Sequence, residues 1–208
     1  MAESHASSQA ETNPAPPKPT FTIDPSLAEW AVPSAVWLST NQARLTALGH
    51  KLSGLASGVV VFDAAGRVLV MQRASTDSMP DRWEVPGGGV DATDASVVAG
   101  AARELWEEAG LVATRFRGLV TEGPGGRELQ VFPNRNRTRW YCRFAFVADV
   151  ESCDAVALDP NEHQAYAWAT EGEIREERVG GRETPITVPE MKLLILEAFR
   201  LRKEAGLV

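Results

Sequence analysis

The chain has little of what would tie a protein to sulfur chemistry, to a membrane or to a polyanion. Cys142 and Cys153 are its only cysteines. Two are too few for a disulfide scaffold or a four-thiolate zinc site, and a reducing compartment is expected. Basic residues are in deficit, 21 against 28 acidic ones, for a net charge of -7 and a pI near 5.1. That balance argues against nucleic acid or anionic lipid held by bulk charge. No apolar run approaches the ~18 residues needed to span a bilayer. The first thirteen residues lack the charged-then-apolar plan of a signal peptide and contain no arginine, unlike a transit peptide. A cytoplasmic protein without a membrane partner is expected, with the nucleus left open. Aromatics are sparse at 7%, yet 44% apolar and 24% charged residues with a mean hydropathy of -0.18 describe a globular chain with one substantial core.

The chain divides by composition. Residues 1–20 are rich in Ser, Ala, Pro and Glu, which predicts a disordered tail. Residues 21–54 become apolar again, with Phe21, Ile23, Leu27, Trp30, Trp37, Leu45 and Leu48 partly at helical spacing. They read as an extension packed on the core, or else as a dimer contact or pocket wall. The domain proper is expected over 55–204. SGVVVFD, a turn at Gly66 and RVLVMQR predict a β-hairpin. Residues 94 to 109 predict a helix, capped by Thr93 or Asp94 and stopped by Gly110. Strands are expected at 116–122, 139–150 and 164–169, with a turn-rich stretch at 123–136. The last helix is expected from about Pro189 to Lys203, with Pro at its first turn.

Chemistry concentrates in PGGGVDATDASVVAGAARELWEEAGL, residues 86–111. At about 100° per residue, Glu107 lies near 300° and Glu108 near 40° of Glu104, so three carboxylates share one face of one turn. Leu105, Val98, Ala109 and Ala102 form the apolar face. Crowded carboxylates repel unless a cation or basic partner sits among them. Hard oxygen ligands at that density suit Mg²⁺ or Mn²⁺, completed by substrate phosphates. A solvated face balanced by Arg103 is the plainer reading of an isolated ELWEE. The adjoining Gly87-Gly88-Gly89 shifts the balance, because glycine lets the backbone approach a metal or pyrophosphate closely.

This stretch resembles the Nudix hydrolase family, whose box reads G-x5-E-x7-R-E-U-x-E-E-x-G-U. Arg103, Glu104, Leu105, Glu107, Glu108, Gly110 and Leu111 match its second half in full. Counted from Gly88, Asp94 stands where the family has its first Glu, with eight residues rather than seven before Arg103; counted back from Arg103, the position is Ala95. A one-residue insertion with Asp94 as substitute is the reading favoured. The resemblance covers about residues 55–204. It implies an α+β Nudix fold, a mixed β-sheet sandwiched between α-helices. It also implies hydrolysis of a diphosphate bond in a nucleoside diphosphate linked to another moiety. The metal would be held by Gly88, Glu104, Glu107 and Glu108. Catalytic roles would fall to Glu104, Glu108, Arg103, which orients Glu104, and Glu162 as the later-loop base beside His163. The substrate side is assigned to Arg73, Trp83, Glu84 and Arg139, although a strand-end surface arginine and core aromatics are the plain alternatives.

Other diphosphates, isoprenoid or inositol pyrophosphates among them, stay open, as does a Nudix-fold module that binds without hydrolysing. The intact R-E-U-x-E-E core favours the enzyme, acting on a small-molecule diphosphate as a monomer or homodimer. Charge is also segregated. Residues 91–108 carry a net -4, whereas residues 115–143 carry seven arginines and a net +5. An arginine-rich strand and loop thus follow the acidic helix, too limited a patch to make nucleic acid the expected partner.

Overall fold

A computed structural model describes residues 20–206 apart from 48, 50, 128 and 135. The expectations for the tail before Thr20, for Leu48 and for Arg135 fall outside the described residues. In chain order the elements are β1 (Thr22–Ile23), a 3-10 turn (Pro25–Trp30), α1 (Ser34–Thr40), α2 (Gln42–Ala47), β2 (Leu52–Val61), β3 (Val68–Arg73), β4 (Trp83–Glu84) and α3 (Val97–Ala109). There follow β5 (Ala113–Val120), β6 (Gln130–Pro133), β7 (Trp140–Val150), β8 (His163–Ala169), α4 (Glu171–Glu176), β9 (Arg178–Val179), β10 (Arg182–Glu183) and α5 (Pro189–Glu204).

Long apolar strands without strict alternation are buried on both faces, and β2 and β7 behave in this way. They pair parallel, with Gly54 opposite Tyr141 and Val61 opposite Ala148. β5 and β6 add to β7 antiparallel, and β1 extends the sheet beyond β5, making a mixed sheet of five strands. A second sheet runs β4-β3-β8, and β9 pairs with β10 separately. One core layer joins Leu55, Val59 and Phe144 to Val98, Ala101 and Leu105 of α3. The other joins Val60, Val70 and Ala145 to Met191, Leu194 and Ile195 of α5. Adjacent residues of β2 therefore serve opposite layers, and α3 and α5 cover the two sides.

The 57–73 hairpin is corrected. Its two runs are strands, but they meet only through a Phe62–Val68 bridge, and β2 and β3 belong to different sheets. β2 finds its partner in β7, more than eighty residues on, a pairing no local turn signal contains. The turn-rich 123–136 stretch holds the strand β6, whose Pro133 is tolerated at a sheet edge.

Residues 21–47 close the first core layer. Trp37 meets Phe144 edge to face, with ring centroids 4.8 Å apart, and Trp30 does the same at 5.6 Å. The Val97 N–H donates to Val32 O at 3.0 Å, which ties the start of α3 to this segment. The position of α3, and hence of its acidic face, is fixed from three sides.

Candidate active site

The glycine loop zips along β2. Val59 N–H donates to Pro86 O and Ser57 N–H to Gly88 O, both at 2.8 Å, and Val90 N–H donates to Leu55 O at 3.0 Å. Gly87 has φ +152° and presses on the Ser57 carbonyl with no room for a Cβ. Only glycine meets both demands. Its N–H, turned inward, donates to Glu108 Oε2 at 2.6 Å. At Gly88 an added Cβ would stand 2.5 Å from Glu104 Oε2. The loop is thus shaped around two of the three helix glutamates.

The helix itself starts later than its sequence suggests. Ser96, not Thr93 or Asp94, is the N-cap, its Oγ accepting from Ala99 N–H at 3.0 Å. Asp94 is committed elsewhere. Its two oxygens accept from Arg103 Nε and Nη2, each at 3.0 Å, and Oδ2 also takes the Asp91 N–H at 2.7 Å. The remaining Arg103 donors reach Glu104 Oε1 at 2.9 Å, Glu107 Oε2 at 2.8 Å and Gly89 O at 2.8 Å. Ringed by carboxylates, this guanidinium is held still more firmly protonated than a free arginine, the Asp94 bond being the main cause.

Beyond Arg103 the charges are not balanced. Glu108 is 5% exposed, and its carboxyl is pushed up to about 10. Burial is the main cause; a hydrogen bond with Glu162 and the charges of Glu104 and Glu162 add to it, and the Gly87 N–H opposes it. Glu104 is raised to about 7, again first by burial, then by Glu107 and Glu162, against the pull of Arg103. Among the described residues, one donor atom each from Glu108, Glu162 and His163 lie within 4.8 Å of one another. Carboxylates forced toward their neutral forms by burial, and further by one another's charge, fit a divalent cation, which would keep them ionised.

The predicted residues therefore divide. Glu104, Glu108 and Glu162 converge, although Glu104 and Glu108 come from α3 and Glu162 from the loop before β8. Arg103 supports them. Glu107 turns outward onto Arg103, and the Gly88 carbonyl is taken up by Ser57, with one lone pair to spare. Arg73 does not present a free guanidinium, because Glu84, Asp77 and the Ser78 carbonyl hold it from several sides. Glu84 is buried beneath the site.

One substrate assignment is corrected, that of Trp83. Trp83 is 1% exposed, belongs to the second core layer and has Arg182 over its ring at 5.5 Å, so no base stacks on it. Arg139 is exposed at the β6–β7 turn, its backbone N–H held by Asn134 Oδ1. The arginine that lies within reach of the buried carboxylates' charge is Arg143, four residues further along the chain. Burial works against its charge, while Glu84 and Glu108 support it and Arg73 repels it. Among the described residues no carboxylate pairs with it; it lies 4.9 Å over the Phe132 ring, which stacks on Tyr141. The odd-numbered positions of β7 and the even-numbered ones of β6 meet on this face; in sequence Arg143 stands out only as one of the arginines clustered over residues 127–143.

Residues 52–187 match the model of the NUDIX domain. A protein described as an uncharacterized Nudix hydrolase, YfcD, of Shigella flexneri is 30% identical over 137 residues, 65% of this chain and 67% of its own. An RNA pyrophosphohydrolase of Rhizobium meliloti is 31% identical over 131 residues, 53% and 75% of the two chains. Among solved structures, the NUDIX domain of Shewanella oneidensis NrtR in complex with ADP ribose is similar with a TM-score of 0.54 at 20% identity, over 79% of this chain and 97% of that one. A C. elegans Ap4A hydrolase is similar with a TM-score of 0.53 at 22% identity, over 74% and 98%. At these identities the two structures bear on the fold.

Proposed function

Because this chain belongs to the Nudix hydrolase family, whose members act on nucleoside diphosphate derivatives, we propose that it hydrolyses the phosphoanhydride bond of a nucleoside diphosphate joined to a second moiety, using Mg²⁺ or Mn²⁺. The observation that carries this reading is the convergence of Glu104, Glu108 and Glu162, where burial first and mutual repulsion second raise the Glu104 and Glu108 carboxyls. Glu104 and Glu108 would hold the ion. Glu108 is the fixed ligand, buried and tied to the Gly87 N–H; Glu104 is set by Arg103, which Asp94 and Glu107 anchor in turn. A bound divalent ion supplies neutralisation of the non-bridging phosphate oxygens and a lower pKa for the attacking water.

Glu162, exposed and hydrogen-bonded to Glu108, would accept the proton of that water. The water oxygen bonds to phosphorus, the bridging P–O bond breaks, and the departing phosphate keeps the bridging oxygen. Arg143 meets the phosphates, and the Phe132–Tyr141 pair offers a ring surface for a base. Two unpaired thiols, Cys142 buried and raised to about 12 by that burial, suit the reducing cytoplasm. Among the described residues no helix is long and apolar enough to cross a membrane.

The test is a panel that includes ADP-ribose, dinucleotide polyphosphates and nucleoside triphosphates, assayed with Mg²⁺, with Mn²⁺ and with EDTA. Release of a nucleoside monophosphate only with metal is expected. Ligand-dependent thermal shifts without any product would replace the enzyme by a binding module.

A further inference from the structure

His163 is the one member of the cluster that carboxylate chemistry does not account for. It opens β8, is 3% exposed, and neither of its ring nitrogens has a hydrogen-bond partner among the described residues. A buried imidazole with both nitrogens unsatisfied is costly. Its nearest charged neighbour outside the cluster is Glu84, whose Oε1 stands 3.7 Å from Nε2, too far for a hydrogen bond. Glu108 and Glu162 each have a donor atom within 4.8 Å of a His163 nitrogen.

We propose that His163, Glu108 and Glu162 form a mixed nitrogen and oxygen cation position, adjoining the carboxylate position at Glu104 through the shared Glu108, and that it takes a borderline first-row ion in preference to Mg²⁺. The proposal rests on the reading of Glu108 as a metal ligand. Donors about 2.1 Å from a common ion lie about 3.4 Å apart in tetrahedral geometry, so atoms now within 4.8 Å of one another close by up to about 1.4 Å. Imidazole suits Fe²⁺, Co²⁺, Ni²⁺ and Zn²⁺, whereas Mg²⁺ prefers water and carboxylate oxygen. With Nδ1 on the ion, Nε2 would be left to donate to Glu84, 3.7 Å away. That carboxylate is in turn gripped by Arg73, which gives the histidine an oriented carboxylate behind it. Glu162 contributes one oxygen and keeps the second for the proton of the attacking water.

Co²⁺ is the probe, because it is paramagnetic and accepts imidazole. The full chain, which has three histidines, His5, His50 and His163, is loaded with Co²⁺ and its exchangeable imidazole N–H resonances are recorded by NMR. One strongly shifted N–H is expected, retained in His50→Gln and His5→Gln and lost in His163→Gln. Titration calorimetry should show Co²⁺ bound more tightly than Mg²⁺. His163→Gln should weaken Co²⁺ binding by at least about tenfold and leave Mg²⁺ affinity within about twofold. Wild-type protein alone decides the outcome if the variant fails to fold, since the shifted resonance needs no substitution. Mg²⁺ binding with no shifted imidazole overturns this proposal and spares the carboxylate site; failure of both ions to bind overturns both.

Discussion

Asp94 grips Arg103 with both carboxylate oxygens, Oδ1 on Nε and Oδ2 on Nη2, each at 3.0 Å. The acid that sequence spacing displaced from its usual place thus still reaches the arginine that orients Glu104. The extra residue is absorbed in the 91–96 turn, ahead of the Ser96 cap. A bidentate carboxylate–guanidinium pair with both side chains largely out of solvent is worth about 2 kcal/mol when one partner is removed. Asp94→Asn is expected to lower the melting temperature by a few degrees and turnover by at least about tenfold, both measured on metal-loaded protein. Unchanged turnover would mean that Glu104 does not depend on this clamp.

Glycine at 88 is demanded by the neighbouring carboxylate rather than by backbone torsion. Gly88→Ala should displace Glu104, weakening Mg²⁺ binding in titration calorimetry by about tenfold with a stability loss under about 2 kcal/mol. Gly87→Ala meets a positive φ and the Ser57 carbonyl together, and should cost more stability than Gly88→Ala in denaturant melts.

How much of this was legible depends on whether the signal was local. The acidic face of α3 follows from helical spacing alone, and the box residues fall within nine positions. The start of α3 was misread because Asp94, a good cap type, is taken by an arginine nine residues on. The hairpin failed for a similar reason: strand content is written locally, but β2 pairs with β7. Trp83 and the Phe132–Tyr141 pair are chemically alike in sequence; only the packing of β4 against β3 and Ile186 puts the first in the core. His163 was visible beside Glu162, but its burial depends on which way β8 faces.

Burial raises Glu104 to about 7 and Glu108 to about 10 from 4.5. Metal-free folded protein therefore binds more protons than the unfolded chain between about pH 4.5 and about pH 10, so its stability falls as pH rises across that window. Melting temperature in EDTA should drop from about pH 6 to about pH 9. The stabilisation by Mg²⁺ should grow over the same range, because protons leave the ligands as the ion enters. A flat profile in EDTA would contradict the burial of Glu108 as an unpaired carboxyl.

Arg143→Ala and Trp83→Ala separate the cleft from the core. The first should raise KM several-fold with a melting temperature within a few degrees of wild type, since no ion pair is lost. The second empties a fully buried site and should cost about 3–5 kcal/mol, read by chemical denaturation. The reverse pattern would return the substrate surface to Trp83.

Product release from the diphosphate panel, compared between wild type and Glu108→Gln in Mg²⁺, tests the central claim most directly. The variant keeps an acceptor for the Gly87 N–H and loses a buried carboxyl that must take up a proton on folding without metal, so its metal-free melting temperature should equal or exceed that of wild type while turnover falls by orders of magnitude. Wild-type turnover from a folded Glu108→Gln protein would contradict the account.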